Sequence, residues 1–361
     1  VHIGFYSLRD EARLSGEAAA SAQLRQLAGE LGLAFEAMSP PTGRGGRLLD
    51  TGRRLARLRR LSARSSASHL IVKVPTAAQL PLVHLATTGF RGRRVVWVDG
   101  LLWRLDLSLR QTLALAAHEP ALLAARALAN NGAWLRGARG VDCEVVVSSR
   151  LQRDELAARL PRARVHVVPN GVRRLAPRQG RRSGSFTAGY LGHAYLTKGV
   201  GELVAAAAAA GVPLRCAFSG LGSRRLVGAA RRAGAAVLGE VDVAELLASI
   251  DLLVAPFWAS WGTHAFPSVL LEAMQVGVPV LTTDLPLMRE LFPGELAVLA
   301  PAGDARALSR RLADIASGNL ALPSPSRLRA HFEAHHSAAR VAAGWRALLC
   351  PDEPAGERPS Q

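Results

Sequence analysis

Three observations predict an α/β protein built from two doubly wound parallel sheets. Short apolar runs of strand length alternate with helical stretches along the whole chain. The pattern restarts once, after an Arg/Gly/Pro-rich stretch over residues 173–185. At 361 residues the chain suits two cores of about 150–180 residues better than one. Such sheets bind ligands beyond the carboxyl ends of their strands, so two of them facing each other define a cleft.

The strands of the first half are expected at residues 2–7, 69–74, 94–98 and 143–148, with a short one at 165–168. Helices are expected between them, at 18–31 and 109–129 among others. His118 and Glu119 fall in the second of these and read as structural. Pro169-Asn170-Gly171-Val172 then reads as a sharp turn, because Asn-Gly favours positive φ. In the second half the strands are expected at 186–191, 214–219, 236–238, 252–255, 278–282 and 296–299. The domains are therefore residues 1–175 and 176–330. A C-terminal helix over 331–350 is expected to pack back toward the first domain, and the polar, Pro-rich 351–361 reads as a disordered tail.

A hydrophobic fraction of 49% argues for globular cores. No apolar run approaches the roughly 18 residues of a membrane span, and the opening Val1-His2-Ile3-Gly4-Phe5 reads as a strand and not as a signal peptide. Cys143, Cys216 and Cys350 show neither metal-ligand spacing nor a disulfide framework, which fits a reducing cytoplasm. The net charge of +17 attracts polyanions, although only Lys73 and Lys198 among the 45 basic residues are lysines, a pattern of arginine-rich compositional drift. The densest cluster is residues 52–61, where Leu55, Leu58 and Leu61 recur among arginines. It reads either as a basic amphipathic helix for an anionic membrane surface or as a solvated helix packing its leucines on the core. Few aromatics (5%) and no recognised module make nucleic acid an unlikely partner.

The passage richest in chemistry is residues 264–280. It reads as a loop, then a helix beginning near Pro267-Ser268, a stop at Gly277 and a buried strand. The helix start, with Phe266, Pro267 and Ser268, offers amide N–H groups and a positive dipole end, which is a phosphate site. Glu272 lies four residues past Ser268 on the same helix face. It is placed either to accept hydrogen bonds from two neighbouring hydroxyls, as a ribose presents, or simply to stabilise the helix start.

This passage is similar to the Glu-x7-Glu signature of retaining glycosyltransferases of the GT-B fold. Glu272 matches the second glutamate, which the family uses on the nucleotide ribose, while His264 stands where the sugar-contacting glutamate is expected. The run from Ala236-Val237-Leu238-Gly239 through Asp251-Leu252-Leu253-Val254-Ala255-Pro256, and Pro301-Ala302-Gly303-Asp304, follow the same family. His166–Val172 resembles its interdomain turn. Gly192-His193-Ala194-Tyr195-Leu196-Thr197-Lys198-Gly199 looks like its diphosphate loop, with Lys198 at the lysine position and His193 at the arginine position. Ser219-Gly220-Leu221-Gly222-Ser223 resembles a glycine turn that approaches the nucleotide. In the first half the resemblance is faint. Gly16 occupies the place of the Gly-rich loop, and Asp99 stands where the family often carries a histidine, either to orient an acceptor hydroxyl or to cap the following turn. Lys73, at a strand end, is in reach of the cleft.

The resemblance implies a metal-independent hexosyltransferase that moves a sugar from a UDP- or GDP-sugar to an acceptor hydroxyl with retention. Lys198, His264 and Asp99 would serve the chemistry, and Gly16, His193, Lys198, Gly220, Gly222, Phe266, Pro267, Ser268 and Glu272 the donor. The donor is a co-substrate; no cofactor is expected, and the absence of an Asp-x-Asp motif implies no divalent ion. The acceptor would be a glycan or a lipid-linked molecule of the cell envelope, met in the cytoplasm at the inner face of the membrane. The alternative is a non-catalytic scaffold of the same fold that binds nucleotide or glycan.

Overall fold

The computed structural model describes residues 2–8, 15–37, 47–100, 107–120, 123–124, 139–176, 184–239, 241–259 and 266–351. The elements begin β1 (His2–Ser7), α1 (Ser15–Glu30), β2 (Ala34–Ala37), α2 (Arg47–Arg64), β3 (His69–Val74), α3 (Leu80–Ala86), β4 (Arg93–Val98), α4 (Leu109–His118), β5 (Glu144–Val147), α5 (Arg150–Ala157) and β6 (Arg164–Val167). They continue β7 (Ala188–Ala194), α6 (Val200–Ala210), β8 (Leu214–Gly222), α7 (Arg224–Arg232), β9 (Ala236–Leu238), α8 (Val243–Ala248), β10 (Leu252–Ala255), α9 (Ser268–Val276), β11 (Val280–Thr283), α10 (Pro286–Leu291), β12 (Val298–Ala300), α11 (Ala305–Ala316), α12 (Pro325–His335) and α13 (Ala338–Leu349). The chain divides into two compact units. One holds Val1–Asp99, Gly132–Val172 and Ala334–Gln361; the other holds Gly100–Asn131 and Arg173–Glu333.

The first unit is a parallel sheet of strand order β2-β1-β3-β4-β5-β6. Its central strands are covered on both faces, and β3 and β5 are buried along their whole length. The core includes Ile3, Phe5, Leu24, Ile71, Val95 and Val146, and α13 completes it with Val341, Trp345 and Leu348. Trp345 meets Trp97 edge to face at 5.2 Å. Arg93 Nη1 donates to the Leu348 carbonyl at 2.7 Å, and its Nη2 reaches the buried Glu144 carboxylate at 3.1 Å. Arg164 Nε (2.8 Å) and His166 complete that hub. Burial pushes the Glu144 carboxyl up, but the hydrogen bonds from His166, Arg164 and Arg93 together hold it below the usual carboxylate range.

The second unit is a parallel sheet of order β12-β11-β10-β7-β8-β9. Ala188, Tyr190, Val200, Leu203, Leu252, Val254, Leu281 and Leu312 fill its core. The alanine tract lies in α6, and its small side chains let α11 pack closely along it.

Several expectations need correction. The edge strand β2 has no counterpart in the sequence reading, because Ala34-Phe35-Glu36-Ala37 is mostly exposed and carries one large apolar residue. Ser15 and Gly16 form the first turn of α1 and not a loop before it. The strand expected at 214–219 runs on through Gly222, so Gly220 is within β8. Neither Asn170 nor Gly171 has positive φ. Asn170 Oδ1 accepts from Ser148 Oγ at 2.5 Å, and Gly171 leaves room for the Gln23 carboxamide, which donates to the Val172 carbonyl. Within the helix expected at 109–129, α4 closes at His118 after opening on a capping box of Ser108 and Gln111. Pro120, Leu123 and Ala124 are again helical, and residues 121–122 and 125–129 lie outside the described residues. In α2, Leu58 is buried and Leu55 and Leu61 are half-buried, while Arg53, Arg59, Arg60 and Arg64 are exposed. The leucine face is thus spent on the core and is not presented outward. No described helix is long and apolar enough to cross a membrane.

Candidate functional site

In the second sheet β7 and β10 are neighbours, and the strand order departs from them in opposite directions. Their carboxyl ends flank the switch point where doubly wound sheets bind ligands. Two loops meet there. After β7, Leu196–Lys198 forms one 3₁₀ turn, closed by Gly199 at φ 69°. Gly199 is required, since a Cβ would run into the Pro256 carbonyl of the loop after β10. Trp258 N donates to the Thr197 carbonyl at 3.1 Å and ties the loops together. Lys198 Nζ lies 5.0 Å from the centroid of the buried Phe257 ring, a cation–π distance that steers the ammonium toward this edge.

The loop after β8 joins the same surface. His193 shares a hydrogen bond through Nδ1 with Ser219 Oγ, and its ring meets Tyr195 at 5.8 Å. Gly222, at φ 120°, brings the backbone against the Ala194 carbonyl, where a Cβ would sit 2.5 Å from the oxygen. The helix α4 contributes as well. Leu115, fully buried, packs with Leu196, Trp258 and Ala259, and Glu119 Oε1 accepts from the Leu196 amide at 2.9 Å. Glu119, read from the sequence as structural, supports this loop from α4. Nothing local in the sequence joins it to a loop 77 residues away.

The helix α9 begins after the β10 loop, on the same edge. Pro267 stands at its N-cap position (φ −57°, ψ 129°) and Gly277 ends it at φ 81°. A proline side chain makes no cap, so the first-turn amides at Ser268 face the space before the helix. Phe266 and Pro267 are buried. One turn in, Glu272 is 3% exposed and accepts from Arg173 Nε at 3.1 Å. Burial pushes its carboxyl above the usual range, and Arg173 opposes the shift. His264 lies outside the described residues.

The first unit treats its expected residues differently. Lys73 does not reach outward: it is 2% exposed, with Nζ 3.7 Å from Asp99 Oδ2, 3.2 Å from Ser21 Oγ and 4.5 Å from the Trp97 ring centroid. Asp99, expected to orient an acceptor hydroxyl or cap a turn, is the buried counter-charge of Lys73. Adjacent strands in register, Lys73 opposite Trp97, force that pairing, because a buried ammonium requires an anion.

The fold has counterparts among known proteins. Residues 183–317 match the family model for glycosyl transferases of group 1. A stretch of 79 residues is 40% identical to the phosphatidyl-myo-inositol mannosyltransferase of Mycobacterium leprae, spanning 21% of this chain and 20% of that protein's length. The crystal structure of Anabaena HepE in complex with UDP-glucose superposes with a TM-score of 0.65 at 16% identity, over 96% of this chain and 99% of that one. The lipopolysaccharide outer core galactosyltransferase WaaB gives 0.62 at 14% identity, over 96% and 98%. The chain therefore has the GT-B fold of these glycosyltransferase structures, and its residues 183–317 match the family model of the group 1 glycosyl transferases.

Proposed function

We propose that this protein transfers a sugar from a nucleoside-diphosphate donor to an acceptor hydroxyl, with retention at the anomeric carbon and without a metal ion. The observation that carries the reading is the setting of Lys198. It is one of two lysines in the chain, held on a glycine-closed turn at the β7–β10 switch point. There its charge stabilises the diphosphate as the glycosidic bond breaks, in place of a divalent ion. The α9 start at Phe266, Pro267 and Ser268 adds amide donors to the phosphates, and Glu272 takes the ribose hydroxyls. Gly220 and Gly222 let the β8 end approach the nucleotide. His193 and His264 stand where the family has arginine and glutamate, and they serve the diphosphate and the sugar. The acceptor attacks the face the diphosphate leaves, and the departing phosphate takes its proton. Anabaena HepE holds UDP-glucose, which favours a UDP-sugar here.

The acceptor is a glycan or lipid-linked molecule of the cell envelope, by analogy with the mannosyltransferase and galactosyltransferase relatives. The enzyme works in the cytoplasm at the inner membrane face, where Arg53, Arg57, Arg60 and Arg64, spaced along one face of α2, contact anionic headgroups. The inward leucines make that contact electrostatic, so flotation with phosphatidylglycerol liposomes should fade as salt rises. Equal flotation with neutral liposomes, or none, overturns the membrane role.

A thermal-shift panel of UDP, GDP, ADP and their sugars, followed by turnover, tests the main reading. One nucleotide should stabilise the protein, and Lys198→Ala should weaken it at least about tenfold, or ~1.4 kcal/mol. Unchanged affinity in Lys198→Ala refutes the site. The second reading, a non-catalytic scaffold, draws on His193 being engaged by Ser219 where an arginine is expected. Nucleotide binding with neither hydrolysis nor transfer of any sugar in the panel would favour it.

A further inference from the structure

We infer that Arg173 is a positioning residue for the donor, holding the Glu272 carboxylate in place for the ribose; the inference rests on the nucleotide-sugar reading above. Arg173 opens the longer segment of the second unit, directly after Asn170-Gly171-Val172. Its Nε donates to Glu272 Oε1 at 3.1 Å. Two residues on, the Leu175 amide donates to Gln275 Oε1 at 2.9 Å. Glu272 and Gln275 are three apart and share one face of α9, so the segment 173–175 is tied to that face at two points. One oxygen of Glu272 is thereby oriented, and Oε2 is aimed by the same clamp.

The clamp also has an electrostatic task. Glu272 is 3% exposed, and a carboxylate so desolvated is driven toward its neutral form. The charged groups acting on it are Arg173, which opposes that drift, and Asp242 at the N-cap of α8, which adds to it. The Arg173 side chain is 33% exposed, so the pair reaches the surface and is not sealed in the core. A neutral carboxyl at Glu272 offers one acceptor oxygen and one donor, where two ribose hydroxyls call for two acceptors. Loss of Arg173 should therefore weaken nucleotides through the ribose alone, most strongly at low pH, where the carboxyl is most protonated.

The test is calorimetric titration with UDP and 2′-deoxy-UDP (or the GDP or ADP pair, where that base gives the thermal shift) from about pH 6 to 8.5, a window above the ordinary carboxylate range. The proteins are wild type, Arg173→Met, Arg173→Lys and Glu272→Gln, each checked for native folding by circular dichroism. Arg173→Met should bind UDP about tenfold more weakly near the acid end and recover toward the alkaline end. Arg173→Lys, which keeps a cation, should stay close to wild type. Glu272→Gln should be weakened at every pH, and the penalty for removing the 2′-hydroxyl should shrink in both Glu272→Gln and Arg173→Met. If Glu272→Gln binds like wild type, the ribose assignment of the parent reading fails. If Glu272→Gln is weakened while Arg173→Met matches wild type at every pH, or is weakened without pH dependence and with its 2′-hydroxyl penalty intact, the positioning role of Arg173 fails and the parent reading stands. Should Arg173→Met not fold, Arg173→Lys decides, since a loss there equal to that of Glu272→Gln refutes a role carried by charge.

Discussion

Glu119→Ala removes the carboxylate that accepts from the Leu196 amide, at the start of the turn that carries Lys198. The bond is 2.9 Å long and its acceptor is a carboxylate. Leu196 is 9% and Thr197 4% exposed, so water reaches this amide poorly. A hydrogen bond to a charged group contributes about 1.5–3 kcal/mol net, and a buried donor left unsatisfied costs about 1–3 kcal/mol. The packing of Leu115 on Leu196 and Trp258 is retained, which keeps α4 seated and sets the expected loss near ~2 kcal/mol. For a unit of this size that is a fall in Tm of about 4–8 °C. Where the loss is met instead by a loosened turn that the donor must re-order, nucleotide affinity drops by about tenfold to thirtyfold. Glu119→Gln keeps a neutral acceptor oxygen in place and should retain roughly half of the stability. Urea denaturation and calorimetric titration of the nucleotide on all three proteins measure both terms. If Glu119→Ala matches wild type in denaturation midpoint and in nucleotide Kd, the turn is not held from α4 and the reasoning fails.

Two further outcomes concern the first unit. Trp345→Ala should lower stability by about 3–5 kcal/mol by urea denaturation, since a side chain 1% exposed and edge-on to Trp97 leaves a cavity no neighbour can fill; a loss below ~1 kcal/mol would mean that α13 is not part of the core. Glu144 is held below its unfolded value of 4.5, so its stabilising contribution is complete above that pH and is lost as pH falls through the lower folded value. Urea midpoints between about pH 3 and 7 should therefore fall less steeply for Glu144→Gln than for wild type, and parallel curves would refute the three-donor hub.

Much of this protein was readable from its sequence because the deciding signals are local. β1, β3 and β10 coincide with their expected spans, since strands buried on both faces leave near-continuous apolar runs, and the short edge strand β9, exposed at Ala236, matches its span as well. Proline before α9 and glycine after it bracket that helix for backbone reasons that act within one residue. Gly199 and Lys198 likewise sit in a turn whose pattern is contiguous. What the tertiary structure alone decided are pairings between residues distant in sequence. Whether the leucines of α2 face outward or inward depended on what the sheet offered them. Lys73 finds Asp99 only through the β3–β4 register, and Arg173 meets Glu272 across 99 residues. The segment carrying α4 lies between two strands of the first sheet, yet packs within the second unit, because the surface that buries Leu115 is there. Local propensity is blind to such partners: burial and counter-charge are satisfied in space, and only the folded chain says what is near.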